Sequence, residues 1–447
     1  MYFCRKFYTM DIQQLYEIYK SHPVITTDSR DCPSGSVFIA LKGESFDGNR
    51  FAASALEKGC AFAVVDDPQC AAAMADGTPD ARYIVVDDCL KTLQMLARHH
   101  RRQFDIPVIG ITGTNGKTTT KELVAAVLAE RFNVLSTQGN FNNDIGVPKT
   151  LFRLGPQHDI AVVEMGASHP GDIKTLVELA EPQYGLITNV GKAHLHGFGS
   201  FEGVVRTKGE LYDFLRERQG TKVFVDAGNE HLTAMTYGLD AIRYGTADDA
   251  SLDVRGSVVS CAPLLKFRWS HHGGEEHEVQ THMIGSYNIC NMLAAACVGL
   301  HFGVTPGQID HALSNYVPSN NRSQLTVTAN NRLIVDAYNA NPTSMLAALR
   351  NFRDMEGEGK MAILGDMREL GEASAEEHQR IVDFIEQWGL ADVWLVGPEF
   401  AKTNCRFAKF ADVEEVKREI ERVNPVGHYI LIKGSNGTKL YQLPEKL

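Results

Sequence analysis

One segment of the chain, Gly113-Thr-Asn-Gly-Lys-Thr118, has residue types that suit the binding of a phosphate chain. It follows the apolar run Ile106–Thr112 and opens a helical pattern. Glycines let backbone N–H groups approach phosphate oxygens, and the amino end of a helix favours an anion. In such a loop Lys117 reaches the β- and γ-phosphates of ATP, and the Thr118 hydroxyl faces Mg²⁺. Ile111 stands where the usual G-x-x-x-x-G-K-[ST] pattern has its first glycine, but an ordinary turn rarely carries Gly-Lys-Thr at a strand–helix junction.

Two further segments contain candidate metal ligands. The apolar run Ile160–Glu164 ends on a carboxylate, the position in which nucleotide-dependent enzymes hold an acid near Mg²⁺. A later run, Tyr184–Val190, leads into Gly-Lys-Ala-His194-Leu-His196. A zinc site is disfavoured because no third ligand follows at a suitable spacing. We interpret Glu164 as a magnesium ligand and His194 as either a second metal ligand or a substrate contact, with His196 the weaker candidate.

Three other polar residues stand where ligands commonly bind, although the pattern around each leaves alternatives open. Lys208 begins a helical stretch and by pattern alone is an ordinary surface lysine. Asn291 opens an alanine-rich helix, where an asparagine suits a helix cap as well as an adenine contact. Asp336 ends an apolar strand, and open α/β sheets bind ligands at the carboxyl ends of their strands.

The elements that must position these residues divide the chain into three segments. Strands and helices alternate, which predicts mostly parallel sheets covered by helices. We predict an α/β protein of three domains: a small N-terminal domain at 1–103, a central phosphate-loop ATPase domain at 104–317, and a C-terminal Rossmann-like domain at 318–447. The stretch 242–283 differs, because its short alternating strands and polar turns predict a β excursion within or beside the central domain. The main predicted strands are Val37–Gly43, Ala61–Asp67, Tyr83–Asp88, Ile106–Thr112, Ile160–Glu164, Tyr184–Val190, Lys222–Asp226, Leu333–Ala337, Met361–Gly365, Val393–Gly397 and Tyr429–Lys433.

A helix is also predicted from Cys89 onward, and it ends in His99-His100-Arg101-Arg102. Cations at the carboxyl end of a helix interact favourably with its dipole. We therefore interpret the two histidines as a solvated end of the helix and not as metal ligands.

The composition excludes several classes of protein. The formal net charge of −11 leaves no basic excess for binding a nucleic acid. Nine cysteines lie scattered without any Cys-x-x-Cys, which suits a reducing cytosol. The longest apolar stretch, Met292–Val304, is interrupted by His301 and is too short to span a bilayer. We expect a cytoplasmic protein without stable membrane insertion, whose translation starts at either Met1 or Met10.

Several long motifs, in order along nearly the whole chain, resemble those of the Mur ligases of peptidoglycan synthesis. Within that family the motifs look most like those of the enzymes that join D-alanyl-D-alanine to UDP-N-acetylmuramoyl-tripeptide. The motifs are GTNGKTTTKE from Gly113, GNFNNDIGVPKTL from Gly139, VVEMGASHPGDI from Val162, AHLHGFGSFEGVVRTKGEL from Ala193, DAYNANPTSM from Asp336 and LGDMRELG from Leu364.

The resemblance implies a role for each domain and for named residues. The first domain would hold the UDP-sugar, the second would bind ATP and two Mg²⁺ ions, and the third would close over the site. ATP contacts are implied for Gly113, Thr114, Asn115, Gly116, Lys117, Thr118, Thr119, Asn291 at the adenine, Arg322 at the phosphates and Asp336 at the ribose. Metal sites are implied for Thr118, Glu164, His194 and Lys208, the lysine that Mur ligases carbamylate, and Lys117, Lys208 and His194 would carry the catalysis. Substrate contacts are implied for Thr27, Asp28, Ser29, Arg30, Lys42, Gly43, Asn142, Asn143, Asn339 and Asn341.

The implied reaction joins a carboxylate to an amine through an acyl phosphate. The partners would be UDP-N-acetylmuramoyl-tripeptide and D-alanyl-D-alanine, with no nucleic acid, and the protein would be a monomer. One departure is that Asn321-Arg322 stands where the family usually has Gly-Arg. The alternatives are a sister Mur ligase that adds one amino acid, a folylpolyglutamate synthase-like ligase, and a non-catalytic nucleotide-binding regulator. The sister enzyme for a diamino acid generally carries Asp-Asn-Pro-Arg, which this chain lacks.

Overall fold

The computed structural model describes residues 10–71, 80–193, 195–261, 263–318 and 324–447. His194 and Arg322, two of the predicted site residues, lie outside the described residues. The described chain forms three α/β units, each built on its own parallel or mostly parallel sheet. This arrangement confirms the predicted fold class.

Unit 1 is built on a four-stranded parallel sheet in the order β1-β2-β5-β6. Helix α1 is capped by Asp11, whose carboxylate accepts the N–H of Gln14, and its buried Leu15 and Tyr19 face the core of the unit. The predicted strand Val37–Gly43 is in fact divided between β2 and the hairpin β3–β4. The elements are α1 Ile12–Ser21, β1 Ile25–Thr26, β2 Val37–Ile39, β3 Lys42–Gly43, β4 Phe46–Asp47, α2 Ala52–Glu57, β5 Phe62–Val65, β6 Tyr83–Val85 and α3 Cys89–Arg101.

The end of α3 corrects the prediction of a solvated His99–His100 cap. His100 is only 6% exposed, and its ring bridges Tyr16 Oη and the carbonyl oxygen of Leu154, each at 3.0 Å. Arg101 is also buried and donates to the carbonyl oxygen of Ala180. The prediction was wrong because helical periodicity does not reveal that unit 2 packs over this face.

The burial of His100 leads to a prediction about pH. Burial lowers its pKa below the ordinary value of 6.5. Between the folded-state pKa and pH 6.5, the unfolded chain therefore binds more protons than the folded chain. The contribution of His100 to stability is complete above pH 6.5 and is lost as the pH falls through the folded-state pKa. We expect the unfolding free energy to fall with a slope of up to about 1.4 kcal/mol per pH unit for this one proton. The slope should be smaller in His100→Gln, measured by thermal unfolding from pH 7.5 to 5; equal slopes in the two proteins would contradict the assignment.

Unit 2 is built on a nine-stranded sheet in the order β15-β14-β13-β12-β11-β10-β7-β9-β8. Strands β7 and β9 are buried along their whole length, as expected for parallel strands covered on both faces. Helices α4 and α10 cover one face and α6 and α8 cover the other. The elements are β7 Val108–Thr112, α4 Lys117–Ala129, β8 Val134–Ser136, α5 Gly146–Leu151, β9 Ile160–Glu164, α6 Asp172–Ala180, β10 Tyr184–Ile187, α7 Leu195–Phe198, α8 Phe201–Arg216, β11 Lys222–Asp226, α9 Glu230–Met235, β12 Asp240–Gly245, β13 Val254–Cys261, β14 Leu264–His271, β15 Glu276–Ile284, α10 Ile289–His301 and α11 Pro306–Asn315.

The stretch 242–283 belongs to this same sheet. Strand β12 pairs in parallel with β11 and with β13, and antiparallel β14 and β15 then extend the sheet to its edge. The predicted β excursion is therefore an extension of the ATPase sheet and not a separate body.

Unit 3 is built on a six-stranded sheet in the order β16-β17-β21-β18-β19-β20, in which only β16 runs antiparallel to its neighbour. Helices α12 and α13 pack on one face and α15 on the other. The elements are β16 Gln324–Val327, β17 Arg332–Asp336, α12 Pro342–Asp354, β18 Lys360–Gly365, α13 Ser374–Trp388, β19 Asp392–Val396, α14 Pro398–Ala401, β20 Ala408–Phe410, α15 Val413–Val423 and β21 Tyr429–Lys433. In the part of the chain that the structure describes, no helix has both the length and the apolar character needed to cross a bilayer.

Candidate active site

The loop between β7 and α4 has a backbone that requires glycine at two positions. Gly113 has φ +140°, and a Cβ there would lie 2.1 Å from Thr188 Oγ1. Gly116 has φ +76° and caps α4. The loop is held against the end of β10, because the N–H of Asn115 donates to Asn189 Oδ1 at 3.0 Å. The amino end of α4 is thereby presented to the space in front of the sheet, where it suits an anion.

Lys117 lies over this loop. Its Nζ donates to the carbonyl oxygens of Gly113 and Thr114, at 2.8 and 3.0 Å. The ammonium group therefore lies beside the backbone that would surround a phosphate chain.

Glu164, at the end of β9, lies beside the first turn of α4. Its Oε1 accepts from Thr118 Oγ1 at 3.1 Å and from Asn142 Nδ2 at 2.8 Å. Its Oε2 is buried and has no hydrogen-bond partner among the described residues. A buried carboxylate oxygen without a partner is costly unless a cation approaches it, and oxygen ligands are those that Mg²⁺ prefers. These residues therefore fit a magnesium ion.

Lys208, which by pattern alone was an ordinary surface lysine, lies on α8 and is only 2% exposed. Burial, and then the nearby charge of Lys117, hold the pKa of its amine well below the usual 10.5. The Lys208 Nζ lies 5.4 Å from the centroid of the Phe198 ring. A lysine in this environment favours the neutral amine, which is a nucleophile.

Asn291 and Asp336 approach the loop from α10 and from unit 3. Asn291 Oδ1 accepts from Thr120 Oγ1 at 3.0 Å and would lie 3.0 Å from a Cβ on Gly116. Asp336 Oδ2 accepts from Lys433 Nζ at 2.5 Å, and the Lys433 side chain is 1% exposed. Sequence reasoning missed Lys433. In the sequence Lys433 is only a lysine at the end of a strand, because its pairing with Asp336 depends on β21 lying beside β17 in the sheet.

The buried Lys433–Asp336 pair leads to a second prediction. Lys433→Met leaves the Asp336 carboxylate without its cation, and we expect the unfolding free energy of unit 3 to fall by about 3 kcal/mol. We also expect the KM for ATP to rise about tenfold. Denaturant unfolding and ATP titration measure the two effects. Adding Asp336→Asn should recover stability but not the ATP KM, whereas a double variant no more stable than Lys433→Met would contradict this account.

Asn341 connects unit 3 to the phosphate loop. Its Nδ2 donates to Asn115 Oδ1 at 2.7 Å, and its Oδ1 accepts from the N–H of Ser344 at 2.9 Å and so caps α12. The side chain that we assigned to substrate therefore bonds to the phosphate loop in this structure. Asn339, also assigned to substrate, lines the cavity described next.

A cavity of about 800 Å³ brings most of the predicted site together. Gly113, Lys208 and Asn341 do not line this cavity but lie close to residues that do. The predicted residues that line it are Thr114, Asn115, Gly116, Lys117, Thr118, Thr119, Asn142, Asn143, Glu164, Asn291, Asp336 and Asn339.

The predicted uridine-nucleotide contacts lie apart from this cavity, on unit 1. Thr27, Asp28, Ser29 and Arg30 follow β1, while Lys42 and Gly43 form β3. Arg30 donates to both carboxylate oxygens of Asp28 and holds the pKa of that carboxyl far below its usual range. Lys42 pairs with Asp66 at 2.8 Å. The two motifs are therefore charged surface groups of unit 1 and not part of the central site.

A second cavity, of about 630 Å³, lies at the carboxyl edge of the sheet in unit 3. It is lined by the loops that follow β18, β19, β20 and β21, and its charged side chains include Asp366, Arg368, Glu399, Asp412 and Lys439. This edge is where open α/β sheets bind ligands. Sequence reasoning missed this site, although the motif LGDMRELG, which contributed to the family resemblance, forms one wall.

Family comparison divides the chain in the same order as the three sheets. Residues 23–101 match the Mur ligase family catalytic domain, residues 111–299 match the Mur ligase middle domain, and residues 321–436 match the Mur ligase, glutamate ligase domain.

Individual relatives match over nearly their whole length. The chain is 34% identical to the UDP-N-acetylmuramoyl-tripeptide–D-alanyl-D-alanine ligase of Bacillus subtilis, over 95% of this chain and 92% of that protein. A crystal structure of MurF from Acinetobacter baumannii superposes with a TM-score of 0.84 at 30% identity, covering 95% and 92% of the two chains. The MurF ligase of Thermotoga maritima in complex with ADP superposes with a TM-score of 0.83 at 25% identity, covering 95% and 96%.

Proposed function

Because this chain belongs to the Mur ligase family, we infer that it is the ATP-dependent ligase that joins D-alanyl-D-alanine to UDP-N-acetylmuramoyl-tripeptide. The Bacillus subtilis relative is named for this reaction, and the two superposed structures carry the name MurF. The product would be the UDP-N-acetylmuramoyl-pentapeptide used for peptidoglycan, and hence for cell shape and division.

The observation that carries the proposal is the shared cavity of Lys117, Glu164 and Asp336, with the amine of Lys208 close to Lys117. A carboxylate is a poor electrophile, so it must first be activated. In the first step an oxygen of the tripeptide carboxylate forms a bond to the γ-phosphorus, the bond from that phosphorus to the bridging oxygen breaks, and ADP leaves. In the second step the dipeptide nitrogen forms a bond to the acyl carbon, the acyl–oxygen bond breaks, phosphate leaves, and the nitrogen loses a proton. The charge of Lys117 opposes the negative charge that builds on the transferred group.

We propose that Glu164 and the Thr118 hydroxyl hold Mg²⁺, together with phosphate oxygens of ATP. When bound, the ion would neutralise phosphate charge and orient the γ-phosphoryl group. Asn142 holds Glu164 Oε1, and Oε2, which has no hydrogen bond among the described residues, would be available to the ion. We assign His194 to a second Mg²⁺ and Arg322 to the phosphates on the strength of the family resemblance alone, since both lie outside the described residues.

We propose that Lys208 reacts with CO₂ to give a carbamate. Burial lowers the pKa of its amine, so Lys208 gives up its proton more readily than an exposed lysine and offers a lone pair to the carbon of CO₂. The neutral amine forms an N–C bond as one C=O π bond of CO₂ opens, and the nitrogen releases one proton. Together with the proton lost when the ammonium becomes the amine, two protons leave, and a cationic side chain becomes an anionic one. An anion near Lys117 would relieve the repulsion that the two lysines otherwise share.

We propose that each unit holds one substrate. The UDP group would bind unit 1 at Thr27–Arg30 and at Lys42 and Gly43, and the muramyl peptide would run past Asn142 and Asn143 toward the central cavity. The dipeptide is a zwitterion, and the second cavity offers cations such as Arg368, on the loop after β18, and anions such as Glu399, in the segment after β19. We retain 1–103, 104–317 and 318–447 as the domain boundaries. We further propose that the protein is cytoplasmic, because ATP and nucleotide sugars are substrates found inside the cell. We also propose that it is a monomer.

The experiment that tests the function is phosphate release from ATP and Mg²⁺ with UDP-N-acetylmuramoyl-tripeptide, with and without D-alanyl-D-alanine. We expect sustained release only with the dipeptide, and the pentapeptide product by mass spectrometry. Sustained release with a single amino acid and a shorter acceptor would instead assign the chain to a sister ligase. No substrate-dependent release with any acceptor would overturn the enzymatic proposal.

A further inference from the structure

We propose that Glu377, in the first turn of α13, is a positioning residue that fixes the position of the second cavity relative to the central cavity. The inference rests on the proposed function and concerns how the dipeptide amine is brought to the activated carboxylate. Glu377 contacts neither cavity, so its effect would pass through the residues that it binds.

The neighbouring residue, His378, organises the wall of the second cavity. His378 is fully buried; its Nδ1–H donates to the carbonyl oxygen of Ser374 at 2.7 Å, and its Nε2 accepts the N–H of Met367 at 3.0 Å. Asp366, beside Met367, accepts the N–H groups of Glu399 and Phe400, each at 2.9 Å. The start of α13 is thus bonded to the loop after β18 through His378, and to the segment after β19 through Ser374 Oγ, which donates to Glu399 Oε2 at 2.7 Å.

Glu377 lies in the same part of α13, and its side chain faces unit 2. Its Oε1 accepts from Lys192 Nζ at 3.1 Å, although Glu377 itself is only 3% exposed. Its Oε2 is buried without a hydrogen bond among the described residues, and its nearest cation is Arg380 at 3.6 Å on the same helix. A buried carboxylate with one direct partner depends strongly on that partner. Lys192 is therefore the residue of unit 2 that compensates the burial of Glu377.

Lys192 belongs to a segment that is bonded to the phosphate loop. The N–H of the preceding Gly191 donates to Thr114 Oγ1 at 2.9 Å, and Asn189 Nδ2 donates to the carbonyl oxygen of Asn115 at 3.0 Å. A continuous series of polar contacts thus runs from the loop that would hold ATP, through Lys192 and Glu377, to the loops of the second cavity. It is distinct from the Asn115–Asn341 contact, which reaches α12.

The chemistry makes such a connection useful. The dipeptide nitrogen must approach the acyl carbon to about 3 Å with its lone pair aligned, and small misplacements of reacting groups lower rates strongly. Units 2 and 3 are also joined where the N–H of Ser286 donates to Asn351 Oδ1 at 3.2 Å, and at Asn341. Glu377 adds a restraint on α13, the helix that is bonded to the loops of the second cavity. Acyl phosphate formation occurs among groups that do not need the second cavity, so loss of Glu377 should affect the second step selectively.

The test uses Glu377→Gln in the full-length protein, with Glu419→Gln as the matched control. Glu419 loses the same charge from an ion pair with Arg422 on α15, within unit 3. For Glu377→Gln we expect the KM for D-alanyl-D-alanine to rise about tenfold and kcat to fall, with the KM for ATP and for the UDP-substrate within about twofold of wild type. The burst of ADP formed without dipeptide in a rapid-quench experiment should keep its rate and amplitude. Glu419→Gln should match wild type throughout.

A double-mutant cycle with Lys192→Met separates the contact from a general loss of structure. If the pair acts as proposed, the double variant is no worse than either single variant, because the interaction is already absent. Additive losses, an unchanged dipeptide KM, or an equal fall in the ADP burst and the overall rate would each overturn the inference. Those outcomes require a wild-type enzyme that uses the dipeptide, so they differ from failure of the proposed function, in which wild type itself shows no dipeptide-dependent release.

Discussion

Replacing Lys117 with alanine is expected to lower kcat for dipeptide-dependent phosphate release by about a thousandfold. Lys117 Nζ lies 2.8 and 3.0 Å from the loop carbonyls of Gly113 and Thr114, directly above the amino end of α4. Its positive charge would stabilise the negative charge on the γ-phosphoryl group as that group leaves ADP. Phosphoryl transfer depends on positioning and on such electrostatic stabilisation. Steady-state phosphate release, with substrate binding measured separately by calorimetry, gives the effect on each step.

A matched control is Lys446→Ala, which removes a lysine that pairs with Glu421 on the surface of unit 3. This variant should retain wild-type kcat. The Lys117→Ala protein should also unfold at nearly the wild-type temperature, because the side chain does not support a core. A fall in kcat of less than tenfold would show that Lys117 does not stabilise the transferred phosphoryl group.

Replacing Lys208 with methionine is expected to lower kcat by about a hundredfold or more. Methionine keeps the length and the burial of the side chain but has no amine to accept CO₂. If the carbamate is the active form, the loss is one of negative charge, so a small carboxylate such as acetate should restore part of the activity in Lys208→Met but not in Lys117→Ala. Rates measured over a series of acetate concentrations check this.

The alternative, that Lys208 acts as a cation, predicts different results. Lys208→Arg should then retain activity, and acetate should not raise the activity of Lys208→Met. The lowered pKa of Lys208 argues against a cation in that position, since burial and the charge of Lys117 both disfavour one. If the carbamate is the active form, depleting CO₂ and bicarbonate should lower kcat of the wild-type enzyme, and adding bicarbonate should restore kcat.

The phosphate loop is the part of the site that the sequence alone determined. Its strand, its loop and its helix are contiguous, so local geometry decides their arrangement: Gly113 and Gly116 adopt positive φ, and α4 begins at Lys117, one residue before the predicted start at Thr118. Glu164 was predictable for the same reason, since a buried parallel strand ends at the edge where ligands bind. The three-unit α/β fold also followed from the alternation of strands and helices.

Contacts between residues far apart in the chain were decided only by the tertiary structure. The partnership of Lys433 with Asp336 depends on β21 lying beside β17, and sequence order does not reveal that neighbour. His100 was predicted to be solvated and is buried because unit 2 covers it. Lys208, which local pattern presented as a surface lysine, is buried; the family resemblance suggested its role in the site but not its burial. Each of these depends on which face another segment packs against, and periodicity shows that a face exists but not what covers it.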